Sequence, residues 1–65
     1  MMDEIMHMPG KIWHYLNSNG ESTIYGMKKD LGLPDSLIYI GIGWLVKEDK
    51  INIKREGGSI KVSLK

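Results

Sequence analysis

The apolar residues in the first quarter of the chain recur at the spacing of one helix face. Pro9 and Gly10 interrupt this stripe, so the pattern predicts a secure helix over residues 11–17, with Pro9 tolerated in its first turn and a further turn starting at Asp3. Asn19-Gly20 predicts the end of the helix, because glycine readily takes the left-handed conformation that follows a helix. The stripe consists of Ile5, Met8, Ile12 and Leu16, flanked by Trp13 and Tyr15.

The middle of the chain predicts a brief strand and a second, short helix. The β-branched stretch over residues 22–24 is long enough for one short strand pairing. Residues 25–31 then predict a two-turn helix that ends at Gly32, with Met27 and Leu31 facing inward and Lys28 and Lys29 facing outward. A tight turn follows at residues 33–36, where Asp35 or Ser36 is expected to cap the next helix.

The last half of the chain predicts one helix and a β-hairpin. Residues 35–48 form the helix, and residues 51–55 and 60–64 alternate between apolar and polar side chains as strands do. Between the strands, Gly57 and Gly58 suit a hairpin turn because glycine accepts a positive φ. The predicted fold is α+β, with three helices, a short first strand and a C-terminal two-stranded β-hairpin wing. Sixty-five residues allow one domain, spanning residues 1–65.

Four stretches of the chain carry a recognisable pattern, namely Gly10-Lys11-Ile12-Trp13-His14-Tyr15-Leu16, Leu31-Gly32-Leu33-Pro34-Asp35-Ser36-Leu37, Gly43-Trp44-Leu45 and Glu56-Gly57-Gly58. In these stretches the chain resembles winged helix-turn-helix proteins, and more narrowly an uncharacterised family of very small bacterial and archaeal members. This resemblance covers most of the chain and implies a DNA-binding scaffold, whose third helix enters the major groove while the wing touches the DNA backbone. The narrow family implies the fold and no biochemical role.

The third helix has a clear core face but a poor set of residues for reading DNA bases. Ile38, Ile42 and Leu45 fall on one side of the helix and predict the core. Base edges are distinguished by paired hydrogen bonds from Arg, Lys, Asn or Gln. The opposite face offers one lysine, one tyrosine and one serine among its five residues, Ser36, Tyr39, Ile40, Gly43 and Lys47.

A second apolar stripe on the same helix leaves two interpretations open. Leu37, Ile40 and Trp44 lie together beside the core face. Either they pack on the first helix or the wing, or they form a protein interface, most simply that of a homodimer with Trp44 as its anchor. Two glycines also lie within this helix. Gly41 borders the core face and is expected to let the second helix approach, whereas Gly43 lies on the outer face.

Basic residues follow the second helix, the end of the third helix and the wing. In a winged helix they are expected to flank a duplex and contact phosphates, which position a protein on DNA without specifying sequence. Interspersed acidic residues favour an ordinary solvated surface, and the net charge is only +1. The predicted nucleic-acid contacts are Lys28, Lys29, Ser36, Tyr39, Lys47, Lys54, Arg55 and Lys61.

The sequence offers little for catalysis, cofactors or metal binding. The two histidines, His7 and His14, are separated by about 10.5 Å of helical rise, too far to share one metal ion. Cysteine is absent, which excludes disulfides and suits a reducing compartment such as the cytoplasm. We expect a binding protein with no cofactor, no membrane span and no small-molecule substrate. Its partner is then either double-stranded DNA or a second copy of the chain.

Overall fold

The computed structural model describes the backbone of residues 2–65 and the side chains of residues 6–65. The expectation for the Ile5 side chain lies outside the described side chains, whereas the further turn expected from Asp3 is part of α1. The elements are α1 (Met2–Asn19), β1 (Ser22–Thr23), α2 (Ile24–Leu31), α3 (Asp35–Lys47), β2 (Ile51–Glu56) and β3 (Ser59–Leu64). The predicted order of helix, strand, two helices and hairpin is confirmed.

Helix α1 extends beyond the securely predicted residues 11–17 and continues through Pro9 toward the N-terminus. A proline inside a helix removes one backbone hydrogen bond and disfavours the helix locally. Met8, the residue before it, is fully buried, so tertiary packing holds this segment helical despite the proline. The predicted end is confirmed, since Gly20 has a φ of 78° and its amide donates to the Leu16 carbonyl at 2.8 Å.

Helix α2 begins with an N-cap that the β-branched pattern of residues 22–24 did not predict. The predicted strand over residues 22–24 ends at Thr23, whose hydroxyl accepts a hydrogen bond from the Gly26 amide at 2.9 Å. A threonine hydroxyl at this position satisfies one of the free amides of the first helical turn, so α2 begins at Ile24. Its predicted end is confirmed by Gly32, which adopts the left-handed conformation.

The cap predicted for α3 is wrong. Pro34 occupies the N-cap position, and no side chain caps this helix. Asp35 is already the first helical residue, one position too late to cap, and its carboxylate pairs with Lys28 instead. A carboxylate in the first turn still interacts favourably with the positive end of the helix dipole.

The three strands form one antiparallel sheet in the order β1-β3-β2. The hairpin register pairs Ile51 with Leu64 at the base of the wing and Glu56 with Ser59 at its turn. Ser22 of β1 pairs with Val62 of β3, which ties the middle of the chain to its end. The core lies between this sheet and the helices, and its buried residues are Ile12, Leu16, Met27, Ile38, Ile42, Leu45, Ile51 and Val62.

The predicted core face of α3 is confirmed, but the role expected for Gly41 is wrong. Gly41 is buried against α1 rather than α2: a Cβ on it would collide with Ile12 Cδ1 and come within 3.2 Å of Met8 Cβ. The interpretation that the second apolar stripe belongs to the chain's own core is also wrong for two of its members. The side chains of Ile40 and Trp44 are 41% and 53% exposed, whereas Leu37 is half-buried.

Candidate nucleic-acid interface

A concave surface, which encloses a volume of about 420 Å³, lies between the start of α2, the first half of α3 and the turn of the wing. The Thr23 cap sets where α2 begins, and the left-handed Gly32 turns the chain so that α3 starts beside α2. The wing closes the third side, where Gly57 has a φ of 59° in the hairpin turn. The lining residues are Thr23, Ile24, Tyr25, Lys28, Asp35, Tyr39, Gly58, Ser59 and Ile60.

An ion pair between α2 and α3 lies in this concave surface. Lys28 Nζ is 2.9 Å from Asp35 Oδ1, and both side chains are largely open to solvent. The hydrogen bond from Lys28 to Asp35 raises the pKa of the lysine above its ordinary value. Lys28 is therefore positively charged at neutral pH, but a nearby carboxylate already neutralises much of its field.

Two tyrosines lie on the same concave surface. Tyr39 was predicted as a contact residue, and it is 53% exposed. Tyr25 was not among the predicted site residues, although it is 73% exposed. The sequence held the signal: Tyr25 is two positions before the buried Met27, which places the two side chains on opposite faces of α2.

The strand register of the wing places its three predicted basic contacts, Lys54, Arg55 and Lys61, on two different sides of the sheet. Lys54 pairs with Lys61 across the strands, and Arg55 pairs with Ile60. Paired residues of an antiparallel ladder point to the same side of the sheet, and the side alternates along each strand. Arg55 therefore shares the side of the buried Val62, which faces the helices, whereas Lys54 and Lys61 lie on the outer side.

Glu56 forms ion pairs with both lysines of the outer wing face, Lys54 and Lys61. Its carboxylate oxygens are 2.8 Å from Lys61 Nζ and 3.4 Å from Lys54 Nζ. Like charges directly across a ladder repel each other, and the carboxylate offsets that repulsion. Hydrogen bonds from Lys61 and then Lys54 lower the pKa of Glu56, and the same contact raises the pKa of Lys61.

The eight predicted contact residues do not form one patch. Lys28 and Tyr39 share the concave surface, whereas Lys54 and Lys61 share the outer face of the wing. Ser36 is exposed in the first turn of α3, and Lys47 is exposed in its last turn, about 16 Å away along the axis. Lys29 lines a second depression at the junction of α2 and the turn, which shares Tyr25 and Lys28 with the concave surface.

The outer side of α3 beyond this surface is apolar and open. Ile40 and Trp44 are exposed there, and a Cβ placed on Gly43 would meet no other atom within 4 Å. Large exposed apolar side chains that cluster on one face are typical of surfaces that another molecule covers.

Within the part of the chain that the structure describes, no group of three potential metal ligands lies close enough to hold an ion. None of its helices is long and apolar enough to cross a bilayer.

Comparison with known proteins settles the family. Residues 2–64 match the family model described as a winged helix-turn-helix domain (DUF2582). The chain belongs to this winged helix-turn-helix family.

Relatives of this winged helix-turn-helix protein agree in size and fold. It is 32% identical to the uncharacterized protein MJ1608 of Methanocaldococcus jannaschii, and the match covers the whole of this chain and 96% of the relative. The solution NMR structure of protein BT2368 from Bacteroides thetaiotaomicron superimposes with a TM-score of 0.82 at 27% identity. That match covers 95% of this chain and 76% of the other. The predicted fold and the predicted family are therefore confirmed.

Proposed function

We propose that this protein is a DNA-binding module of low sequence specificity, which acts by binding and not by catalysis. The observation that carries the proposal is the concave surface where α2, α3 and the wing converge, with Lys28 and Tyr39 on it. Ser36 and Tyr39 lie nearest the DNA groove in this arrangement. The phosphate contacts come from lysines and one arginine on the surrounding elements, Lys28, Lys29, Lys47, Lys54, Arg55 and Lys61.

The side chains of α3 explain why the specificity is low. Direct reading of a base pair needs side chains that make paired hydrogen bonds in the major groove. The exposed positions of α3 carry aspartate, serine, tyrosine, isoleucine, glycine, tryptophan, valine and lysine, but no Arg, Asn or Gln. Contacts to phosphates, which every sequence shares, therefore dominate the affinity.

Internal carboxylates moderate that affinity. Asp35 forms an ion pair with Lys28, and Glu56 forms ion pairs with Lys54 and Lys61. A phosphate must therefore compete with a carboxylate at three of the six basic contacts. Exposed ion pairs of this kind are weak, typically below about 1 kcal/mol, so a DNA backbone with its high charge density displaces them. The expected binding is weak at physiological salt and steeply dependent on salt.

Fluorescence anisotropy with a labelled generic duplex at a series of salt concentrations tests this proposal. Lys28→Ala and Arg55→Ala should each weaken binding for all sequences and reduce the slope of log affinity against log salt by about 1. Lys65→Ala is the matched control, because Lys65 pairs with Asp49 at the base of the wing, away from the concave surface. Equal slopes for all three variants would contradict the proposed interface.

A specific observation also favours a second role, self-association. Ile40 and Trp44 are 41% and 53% exposed, and they adjoin the half-buried Leu37 on one side of α3. A two-fold homodimer buries one such face against its own copy, and tryptophan is a frequent anchor of these interfaces. This face lies beside the concave surface on α3, so a dimer would present two DNA-binding surfaces. Sedimentation equilibrium tests the proposal, with a mass near twice 7.4 kDa expected.

The proposal places the protein in the cytoplasm. Its chain contains no cysteine and so has no disulfide to maintain, which suits a reducing compartment.

A further inference from the structure

We propose that the concave surface binds an unpaired nucleotide, so that the protein recognises single-stranded DNA or DNA with an exposed base. This inference rests on the DNA-binding function proposed above and names the part of the nucleic acid that the surface takes.

The two tyrosines of the surface are the first reason. Tyr25 and Tyr39 come from different helices, both line the surface, and they are 73% and 53% exposed. Lys28 lines the same surface as the two tyrosines. Exposed aromatic rings beside a cation are the usual platform for unpaired bases, because every base has a face that stacks on an aromatic ring. The bases inside an intact duplex present only their edges.

The polar groups around the rings match the rest of a nucleotide. The Lys28 ammonium suits the phosphate, and the Asp35 carboxylate accepts hydrogen bonds from amino groups on base edges. Ser59 of the wing lines the opposite wall. The volume of about 420 Å³ falls within the range of small-ligand sites, roughly 300–1,000 Å³. One base with its phosphate therefore fits this surface in size and in chemistry.

The second reason concerns α3, the helix that enters the major groove in a winged helix-turn-helix protein bound to duplex DNA. Among its exposed side chains α3 has none of the Arg, Asn or Gln residues that recognise base pairs in the major groove. Its first half instead contributes Tyr39 and Asp35 to the concave surface. These residues suit a base that has left the stack better than one that remains in it.

Fluorescence anisotropy with a labelled short oligothymidylate and a blunt duplex tests the inference. Wild-type protein should bind the single strand at least as tightly as the duplex. Tyr25→Ala and Tyr39→Ala should each weaken single-strand binding about 5- to 140-fold, which is the range for loss of one stacked base. Tyr25→Phe and Tyr39→Phe should keep the wild-type affinity, because phenylalanine retains the stacking ring.

Two controls accompany these variants. Ile53→Ala removes an equally open apolar side chain that does not line the surface, and it should leave single-strand binding unchanged. Thermal unfolding of each variant verifies that it is folded.

Wild-type affinity for the single strand in both alanine variants would overturn the inference. Phenylalanine variants that lose as much affinity as the alanine variants would also overturn it, because that result assigns the effect to the hydroxyl groups. Tight duplex binding with no single-strand binding would overturn the inference and leave the proposed DNA-binding function intact. Binding to neither oligonucleotide would contradict both.

Discussion

Gly41 of α3 lies directly against Ile12 of α1, so closely that a Cβ on the glycine would occupy the space of Ile12 Cδ1. The same Cβ would also lie 3.3 Å from the Met8 carbonyl carbon, which belongs to the backbone of α1. A glycine inside a helix costs about 1 kcal/mol relative to alanine. The close approach of the two helices, which buries Met8 and Ile12 completely, explains why that cost is accepted here.

Replacement of this glycine should therefore destabilise the fold. Overpacking a core costs about 1–3 kcal/mol, and the better helix propensity of alanine returns about 1 kcal/mol of that. Gly41→Ala should lower the free energy of unfolding by about 1 kcal/mol, measured by urea denaturation with tryptophan fluorescence. Gly43→Ala is the matched control, because its Cβ would meet open space, and it should stabilise the monomer by about 1 kcal/mol. Equal effects at the two glycines would contradict the packing described.

Periodicity was sufficient to predict the core of the fold but not its contacts between elements. The buried face of Ile38, Ile42 and Leu45 and the turn at Gly32 follow from local spacing and backbone preference. The partner of Gly41 does not, because it depends on how two distant helices cross. A further turn from Asp3 was predicted, but not one helix that is continuous through Pro9, because burial of Met8 outweighs the local preference there.

In the candidate site too, the sequence predicted individual residues but not the contacts between distant elements. The basic residues and Tyr39 were identifiable from the sequence, but their grouping was not. The side of the sheet that Arg55 occupies depends on the strand register, and the carboxylate partners of Lys28 and Lys61 depend on the fold. Tyr25 was not among the predicted site residues, although its spacing from the inward-facing Met27 places it on the exposed side of α2.

Neutralisation of Glu56 should strengthen DNA binding. Glu56→Gln keeps the size of the side chain and releases the ammonium groups of Lys54 and Lys61 for phosphates. We expect a several-fold increase in duplex affinity at low salt and a smaller increase at high salt, measured by anisotropy, because phosphate contacts are screened. An unchanged or weaker affinity would show that the outer wing face does not meet DNA. Asp49→Asn is the control, since its partner Lys65 lies at the base of the wing.

The same carboxylate should make stability depend on pH in the acid range. The pKa of Glu56 is lowered in the folded state from its ordinary value of 4.5, so the ionised form favours folding. Its contribution is present above the unfolded pKa and is lost as the pH falls through the folded pKa. Urea denaturation at neutral and acid pH should therefore show a smaller acid loss for Glu56→Gln than for wild type. Equal losses would contradict the ion pairs at the wing.

A hydrogen bond joins α1 to α2, and its loss should be measurable. The Tyr15 hydroxyl donates to Asp30 Oδ2 at 2.6 Å, and this bond is the main cause that raises the pKa of Tyr15 above 10.0. Tyr15→Phe should cost about 1 kcal/mol at neutral pH in a urea titration. Because the folded pKa is raised, the wild-type advantage should persist below pH 10.0 and disappear as the pH rises through the folded pKa.

Tyr25→Phe is the control for this experiment, since that side chain is 73% exposed and its hydroxyl should contribute little to folding. The same stability for Tyr15→Phe and Tyr25→Phe would show that the contact with Asp30 does not stabilise the fold.

Truncation of Trp44 should separate association from folding. The side chain is 53% exposed in the single chain, so Trp44→Ala should change monomer stability little while it weakens a homodimer at least tenfold. Sedimentation equilibrium measures the association constant, and urea denaturation at low protein concentration measures the monomer. Ile53→Ala, with a similarly exposed side chain on the wing, should change neither. Outright unfolding of Trp44→Ala would instead assign this tryptophan to the core.

The most direct test of the DNA-binding function is an amide-resolved NMR titration of labelled protein with a short generic duplex, at low and at physiological salt. If the concave surface binds DNA, amides at the start of α2, in the first half of α3 and in the wing turn should shift, and these shifts should fade as the salt concentration rises. The amides on the far side of α1 should stay unchanged. The absence of shifts at low salt with this duplex and with a single strand would contradict DNA binding, and a mass near twice 7.4 kDa in the same sample would then leave self-association as the function.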